Sequence, residues 1–403
     1  MQLSDKQKEY WKRANSRWNI KSGATRSGKT YLDYYVIPKR IRSLAGKEGL
    51  TVILGNTRGT LQRNIITPLQ KIYGSVLVSD IRSDNTALLF GEECYCLGAD
   101  KVSQVDRIRG SSIKYCYGDE VVTWHKDVFD MLKSRLDKDY SIFDGTCNPD
   151  NPNHWFYKFL RSDAEIYLQE YMLEDNPFLS RGFIENLKKE YAGTVLYDRY
   201  ILGKWALAEG LVYRPFADNP AAFMVKRADL PKRFAYIGIG HDFGGNKSNH
   251  AFAATGIGFD GHVYKLRAKS VSAAGVPFDR LEKMFCEFVD GIIRDYGWPD
   301  GVYCDSAEQT MINSYRQNTP YPIYNSIKRP INDRIRCTLL LMGSGRWHMV
   351  EGECDDLANG LKTAVWDSKS KEDRRLDDGS SDIDILDADE YSFEYYLYRL
   401  AGD

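Results

Sequence analysis

What the chain lacks narrows it first. It has no stretch of 18 or more apolar residues, so a membrane-spanning helix is not expected. Its opening, MQLSDKQKEYWKR, has no apolar core of the kind a secretory signal needs. Neither charge dominates: 55 basic against 56 acidic side chains leave a net charge of −1. That excludes a globally basic nucleic-acid binder while leaving room for a basic groove on a neutral body. The eight cysteines are scattered, with Cys94-Tyr-Cys96 the closest pair, and no CxxC or Cys/His zinc spacing occurs. Reduced thiols in a cytoplasm follow as the simplest reading. There is no internal repeat and no low-complexity tract, and the absence of G-x-G-x-x-G removes a dinucleotide-binding Rossmann reading.

What is present is an ordinary globular composition: 43% hydrophobic and 28% charged residues over 403 positions. At roughly 150 residues per domain, that length suggests two or three domains. The aromatic share is 13%, with 27 tyrosines, which suit a half-buried core and rim and, in places, stacking on bases. The first half alternates strand-like and helix-like runs. Thr51–Gly55, Ile113–Tyr117 and Tyr140–Phe143 read as strands, and residues 30–45 as a helix interrupted by Pro38. Strands separated by helices predict a mainly parallel sheet with covering helices. Residues 177–204 read as helical, and 205–215 as a connection. The second half opens with strands at 234–240, 250–256 and 262–267, the last two joined through Asp260-Gly261, a hairpin signal. A helix over 278–296, a strand at 301–305 and a last helix over 384–400 complete a mixed-sheet α/β unit. The expected organisation is a first domain over 1–208, a linker over 209–228 and a second domain over 229–403.

Gly23-Ala-Thr-Arg-Ser-Gly28-Lys29-Thr30 matches G-x-x-x-x-G-K-[ST] at every fixed position. It follows a short strand (Trp18 to Lys21) and opens a helix, the context this phosphate-binding loop needs. The glycines let successive N–H groups turn inward, the helix N-terminus adds positive potential, Lys29 reaches the β/γ-phosphates and the Thr30 hydroxyl can ligate Mg2+. Arg26 and Ser27 lie within the loop. Asp119-Glu120, at the end of the strand Ile113–Tyr117, is the expected second motif: Asp119 to hold magnesium through water, Glu120 to polarise the attacking water. Gly145-Thr146-Cys147-Asn148-Pro149, after the strand that ends at Phe143, offers a polar reporter of the γ-phosphate. Arg26, Arg107 and Arg109 are candidates to offset its charge.

The second half collects carboxylates at strand ends. Asp242 closes one strand in His-Asp-Phe-Gly-Gly, and Asp305 another in Tyr-Cys-Asp-Ser-Ala-Glu. The last helix and its approach add Asp382, Asp384, Asp387, Asp389 and Glu394. Two hard divalent cations about 4 Å apart can clamp a phosphodiester displacement. One acid on the first strand, one on its neighbour and one on a later helix is the layout of an RNase H-like nuclease. Asp387 is the chosen third acid, with Asp384 and Asp389 as alternatives, and Asp382 as a poorer candidate in a loop. Lys328, Arg329, Arg334 and Arg336 form the densest basic segment near these acids and are candidate DNA-phosphate contacts.

Taken in order, a phosphate-loop ATPase followed by an RNase H-like nuclease resembles the large terminase subunit of tailed bacteriophages. The resemblance rests on Gly23–Thr30, Asp119-Glu120, Thr146–Pro149 followed by His154-Trp155, Leu202–Trp205 through Glu209–Tyr213, Asp305–Glu308 and Asp387–Tyr391. The last motif departs from the family's Asp-Ala-Leu-Arg-Tyr by having Asp-Glu in place of Leu-Arg, so the third metal ligand is left open. The resemblance implies a DNA-packaging motor that hydrolyses ATP with Mg2+ to drive double-stranded DNA into a procapsid, and that cuts concatemers with Mg2+ or Mn2+ at Asp242, Asp305 and Asp387. It further implies that Gln7 contacts adenine. The implied partners are the portal protein, a small terminase subunit and further copies of the chain in a ring, with no membrane. The implied location is the cytoplasm of an infected bacterium. A helicase-like ATPase-nuclease of DNA repair or restriction is the alternative.

Overall fold

Buried strands organise the first half. The computed structural model describes residues 3–245, 248–370 and 372–402. Seven strands follow in chain order: β1 (Trp18–Gly23), β2 (Leu50–Gly55), β3 (Thr86–Leu89), β4 (Glu92–Gly98), β5 (Ile113–Gly118), β6 (Ile142–Cys147) and β7 (Ile166–Tyr171). They form one sheet in the order β3-β4-β2-β5-β6-β1-β7. All neighbours run parallel except the β3/β4 pair. Every residue of β1 and β5 is buried, as expected of strands covered on both faces. The two lysines that interrupt these strands are neutralised in place. Lys21 of β1 pairs with Asp33 at 2.7 Å, and Lys114 of β5 with Glu92 at 2.8 Å.

The helix Lys29–Ser43 runs straight through Pro38, where an interruption was expected. A proline removes one backbone bond, and burial of Ile37 and Ile41 in the core holds the flanking turns. β6 extends to Cys147, so Thr146 and Cys147 belong to the strand and not to the turn after it. The helical reading of 177–204 breaks in two, Arg181–Tyr191 and Val195–Tyr200, with Gly193 at φ +74° between them.

The second unit holds β8 (Met224–Val225), β9 (Tyr236–Asp242), β10 (Asn249–Ile257), β11 (Val263–Ser272), β12 (Gly301–Cys304), β13 (Ile323–Asn325) and β14 (Trp347–Val350). Their order is β13-β12-β9-β10-β11-β14-β8. β9, β10 and β11 pair antiparallel and the remaining pairs are parallel. The β10–β11 hairpin turns at Gly258–His262, with Gly261 at φ +80°. The chain divides into two units, Met1–Ile184 with Leu196–Leu207, and Glu185–Val195 with Ala208–Asp403. Residues 209–228, expected as a linker, are built into the second unit. Tyr213 is buried with its hydroxyl on Glu390 at 2.9 Å, and β8 pairs with β14. Among the described residues no helix is long and apolar enough to cross a membrane.

The glycines of β9 shape the second site. Gly238, Gly240 and Asp242 share one face, by the period-two alternation of a strand. A Cβ at Gly238 would collide with the Ser392 carbonyl oxygen, and one at Gly240 with that of Ala388. The bare backbone therefore lets the helix Ile383–Tyr391 lie directly on the strand. The opposite face, with Ile237, Ile239 and His241, packs into the core against Phe252 and Phe285.

Candidate functional site

The loop after β1 is shaped by backbone that most residues avoid. Gly28 caps the helix Lys29–Ser43 at φ +89°, where a side chain with a Cβ is strained. Arg26 stands at φ +60°. Lys29 is buried beneath the loop. Its Nζ donates to the carbonyls of Gly23 (2.8 Å) and Ala24 (2.6 Å) and to Asn148 Oδ1 (3.0 Å). Burial pushes this ammonium down to about 8. The buried Ser27 hydroxyl donates to the Ala24 carbonyl at 2.7 Å. A cavity of about 380 Å³ opens over residues 25–31, with Glu120, Thr146, Asn148 and Asn176 in its walls, so Thr30 and Arg26 face it directly.

Thr146 joins the next two acids. Its hydroxyl donates to Asp119 Oδ1 at 3.2 Å and accepts the Glu120 backbone N–H at 3.2 Å. Asp119, buried at the end of β5, is pushed up to about 6, chiefly by burial. Glu120 sits at φ +51°, a left-handed conformation that costs about 1–3 kcal/mol for a residue with a Cβ and tends to persist where function needs it. Gln7, on the helix Asp5–Arg13, accepts from the Ser4 N–H (2.9 Å) and donates to the Gly28 carbonyl (2.8 Å). Each end of its amide thus makes one of the two hydrogen bonds open to it within the protein. Arg107 donates to the Asp84 carbonyl at 2.7 Å, and Arg109 pairs with Asp106 at 3.2 Å; neither lines the cavity.

On the second sheet, Asp242 and Asp305 end the adjacent parallel strands β9 and β12, and the helix Ile383–Tyr391 lies across them. Burial, then the charges of Asp387, Asp305 and Asp384, push the Asp242 carboxyl up to about 9, and it shares a hydrogen bond with Asp305. Asp305 is also ion-paired to Lys328. Asp387 lies between Arg334 (3.0 Å) and Arg375 (2.5 Å). Those arginines also hold Glu390, at 2.7 and 2.9 Å. Asp384 accepts the Asn249 N–H at 2.5 Å and is pushed up to about 6, mainly by burial.

The other acids point away. Asp389 pairs with the buried Lys265 at 2.9 Å. Asp382 caps the helix, accepting from the Ile385 N–H at 3.2 Å. Glu394, beyond the helix end, accepts the backbone N–H groups of Ile327, Lys328 (3.3 Å) and Arg329 (3.2 Å). Among the described residues no three His, Cys, Asp or Glu side chains converge closely enough to cage an ion as they stand. Within the basic segment Arg334 is buried on Asp387 and Glu390, which commits its charge to those acids, while Lys328 is exposed. Arg329 Nε donates to the Glu394 carbonyl at 3.0 Å, and Arg336 Nε to the Tyr191 hydroxyl at 3.4 Å.

The family model described as terminase large subunit, T4likevirus-type, N-terminal, matches residues 20–217. A large terminase from a thermophilic bacteriophage superposes over 100% of both chains with a TM-score of 0.84 at 24% identity. Residues 20–217 thus match the N-terminal domain of the large terminase family, and the whole chain shares the fold of the thermophilic-phage enzyme. The same thermophilic-phage enzyme in complex with ADP is similar over 100% of both chains (TM-score 0.82, 23% identity). Its complex with ATP-γ-S is similar over 97% of this chain and 98% of that one (TM-score 0.79, 24% identity). No curated protein sequence matches this chain.

Both sites suit the groups they are expected to hold. The buried Lys29 ammonium, held only by neutral oxygens of its own loop and of Asn148, is chemically suited to an anionic phosphate. Asp242, pushed up to about 9 by burial and by Asp387, Asp305 and Asp384, stands where carboxylate oxygens of the kind a hard divalent cation takes are gathered. Two contributors to these sites carried little or no signal in the sequence. Asn176, in an Asn-Pro turn, donates to the Arg26 carbonyl at 2.8 Å. Arg375, in a polar stretch with no periodicity, is buried against Asp387 and Glu390. Only the Asn176-Pro177 dipeptide carried a readable signal, that of a turn.

Proposed function

We propose that this protein is a large terminase subunit, an ATP-driven DNA-packaging motor that also carries a metal-dependent endonuclease. The first domain, over about residues 1–208, is a P-loop ATPase, and the second, over about 229–403, is RNase H-like. The observation that carries this reading is the assembly at the carboxyl ends of β1, β5 and β6: Lys29 and Thr30 share one cavity with Glu120 and Thr146, and Asp119 stands behind Thr146. Lys29 moves from the Gly23 and Ala24 carbonyls to the phosphates, and Thr30 and Asp119 hold the magnesium. Glu120 takes the proton of the attacking water. Mg2+ bound here supplies charge neutralisation on the triphosphate. Arg26 faces the same space from a loop already held at φ +60°. Thr146 and Asn148 touch Asp119-Glu120 and Lys29 respectively, so a change at the γ-phosphate reaches β6 and the residue after it through three hydrogen bonds.

In the second domain Asp242, Asp305 and Asp387 hold Mg2+ or Mn2+, with Asp384 as the further acid on that face. Metal held there supplies water activation and charge stabilisation at the leaving oxygen. Double-stranded DNA is gripped through its phosphates, so binding weakens steeply with salt. The thermophilic-phage enzyme's complexes with ADP and ATP-γ-S support nucleotide binding by the family fold. The portal, a small subunit and ring-forming copies of the chain are the partners, and the host cytoplasm is the setting. Two assays test the proposal. The intact protein packages DNA only into portal-bearing procapsids with ATP, whereas a helicase-like repair enzyme unwinds DNA without them. Asp305→Ala abolishes manganese-dependent plasmid nicking; retained nicking refutes the assigned nuclease centre.

A further inference from the structure

The acid cluster already contains a cation of its own. Lys328 reaches Asp305 with its ammonium, and its position is built rather than incidental. The backbone there is at φ +53°, an uncommon conformation for lysine. The strap around it is fixed by Glu394, whose carboxylate accepts three consecutive N–H groups, from Ile327, Lys328 and Arg329. Arg329 closes the strap from the other side, donating to the Glu394 carbonyl and lying over the Tyr398 ring at 4.4 Å. The Ser326 N–H donates to the Cys304 carbonyl at 2.7 Å, which ties the strap to the strand that ends at Asp305. The Lys328 side chain is 42% exposed and so has room to withdraw.

We infer that Lys328 is a tethered counter-ion of the nuclease centre: its ammonium occupies the Asp305 carboxylate until a divalent metal displaces it. Metal loading competes with the Lys328–Asp305 pair, because the ammonium sits on Asp305 Oδ1 and two cations repel each other at one carboxylate. The strap therefore sets how much metal is required to arm the centre. Lys328 acts as a positioning residue, holding Asp305 in place while the centre is idle, and it is not a contact to DNA. The inference rests on the proposed metal centre, and its test separates the two.

Manganese is titrated calorimetrically into the full chain and into its variants. Lys328→Met removes the charge, and Lys328→Asn does so with a residue that tolerates positive φ. The ion pair is partly exposed, so its loss is expected to tighten manganese binding about fivefold. Lys328→Arg, which keeps the charge, is expected to leave the affinity within about twofold of the parent. Asp305→Asn is expected to lose the binding. If Asp305→Asn binds manganese as the parent does, the metal centre itself is wrongly placed. If Asp305→Asn loses binding while both neutral Lys328 variants bind no tighter than the parent, the tethered counter-ion is refuted and the metal centre stands.

Discussion

A lysine in the middle of a fully buried strand carries a measurable consequence. Lys21 lies 4.0 Å above the Tyr10 ring and pairs with Asp33. Burial pushes the Asp33 carboxyl up to about 6 despite that pairing. Replacing one partner leaves the other charge stranded, which costs about 3–5 kcal/mol, whereas exchanging both for apolar residues of similar volume is close to neutral. Lys21→Ala is therefore expected to lower the thermal midpoint of the first unit sharply, and Lys21→Met with Asp33→Leu to restore most of it. Equal losses in the single and double variants, read by differential scanning calorimetry, contradict this.

Lys29 yields a proton-linkage expectation. Its ammonium stands at about 8 in the free protein, below the usual 10.5, and a bound triphosphate raises it again. Nucleotide binding therefore takes up protons. The uptake is small at pH 7, where Lys29 is already charged, and approaches about one proton near pH 9. Calorimetry of ATP-γ-S binding in buffers of different ionisation enthalpy reads this directly, and Lys29→Met should abolish the uptake. A release of protons near pH 9 means that the lysine does not meet the phosphates.

The element that matters most to the second site is the helix Ile383–Tyr391 seated on the glycine face of β9. Gly240→Ala places a methyl group against the Ala388 carbonyl, and backbone there cannot yield as a flexible side chain would. Overpacking of this kind costs about 1–3 kcal/mol, and it lifts Asp384 and Asp387 away from Asp242. Manganese-dependent cleavage is expected to fall severalfold while ATP hydrolysis is unchanged. Gly245→Ala, where an added Cβ meets nothing within 4 Å, serves as the neutral comparison. If Gly240→Ala cleaves as the parent does, the helix does not position the acids.

This same element marks how far a sequence can be read. Asp242 and Asp305 were legible because each ends an apolar run, and the phosphate loop because its glycines and lysine obey a fixed spacing. The face of the last helix was not, since the acids crowded into residues 382–394 leave no apolar rhythm to orient them. Asp389 stood as an alternative to Asp387 until Lys265, far earlier in the chain, claimed it. Arg334 likewise read as a surface base, because the acids that bury it lie far along the sequence. Short edge strands such as β3, and β7 with its Gln169-Glu170, were missed for the opposite reason: their polar residues hide the pattern. β6 was placed too early because Gly145-Thr146 resembles a turn.

At the scale of the molecule, the two sites draw on separate residues. The phosphate-loop groups all lie within Met1–Ile184, and the acid cluster with Lys328, Arg334 and Arg375 lies within Ala208–Asp403. No side chain named in one site serves the other. Loss of one chemistry by substitution should therefore leave the other intact when each is assayed alone. Lys29→Ala is expected to lower ATP hydrolysis by at least about a hundredfold, the scale of losing a principal transition-state contact, while manganese-dependent plasmid nicking stays near the parent's rate. Asp305→Asn should show the converse: full ATP hydrolysis and no nicking. Under the proposed function packaging divides the pair differently, because translocation would need the motor in every cycle and the nuclease only to create and finish an end. On linear DNA, Asp305→Asn should still fill procapsids, whereas Lys29→Ala should fill none. The measurement is nuclease-protected DNA per procapsid, with ATP hydrolysis followed in the same reaction. If Asp305→Asn abolishes filling from ready-made ends while it hydrolyses ATP normally, the acid cluster takes part in gripping DNA during translocation and the division of labour between the two sites is wrong.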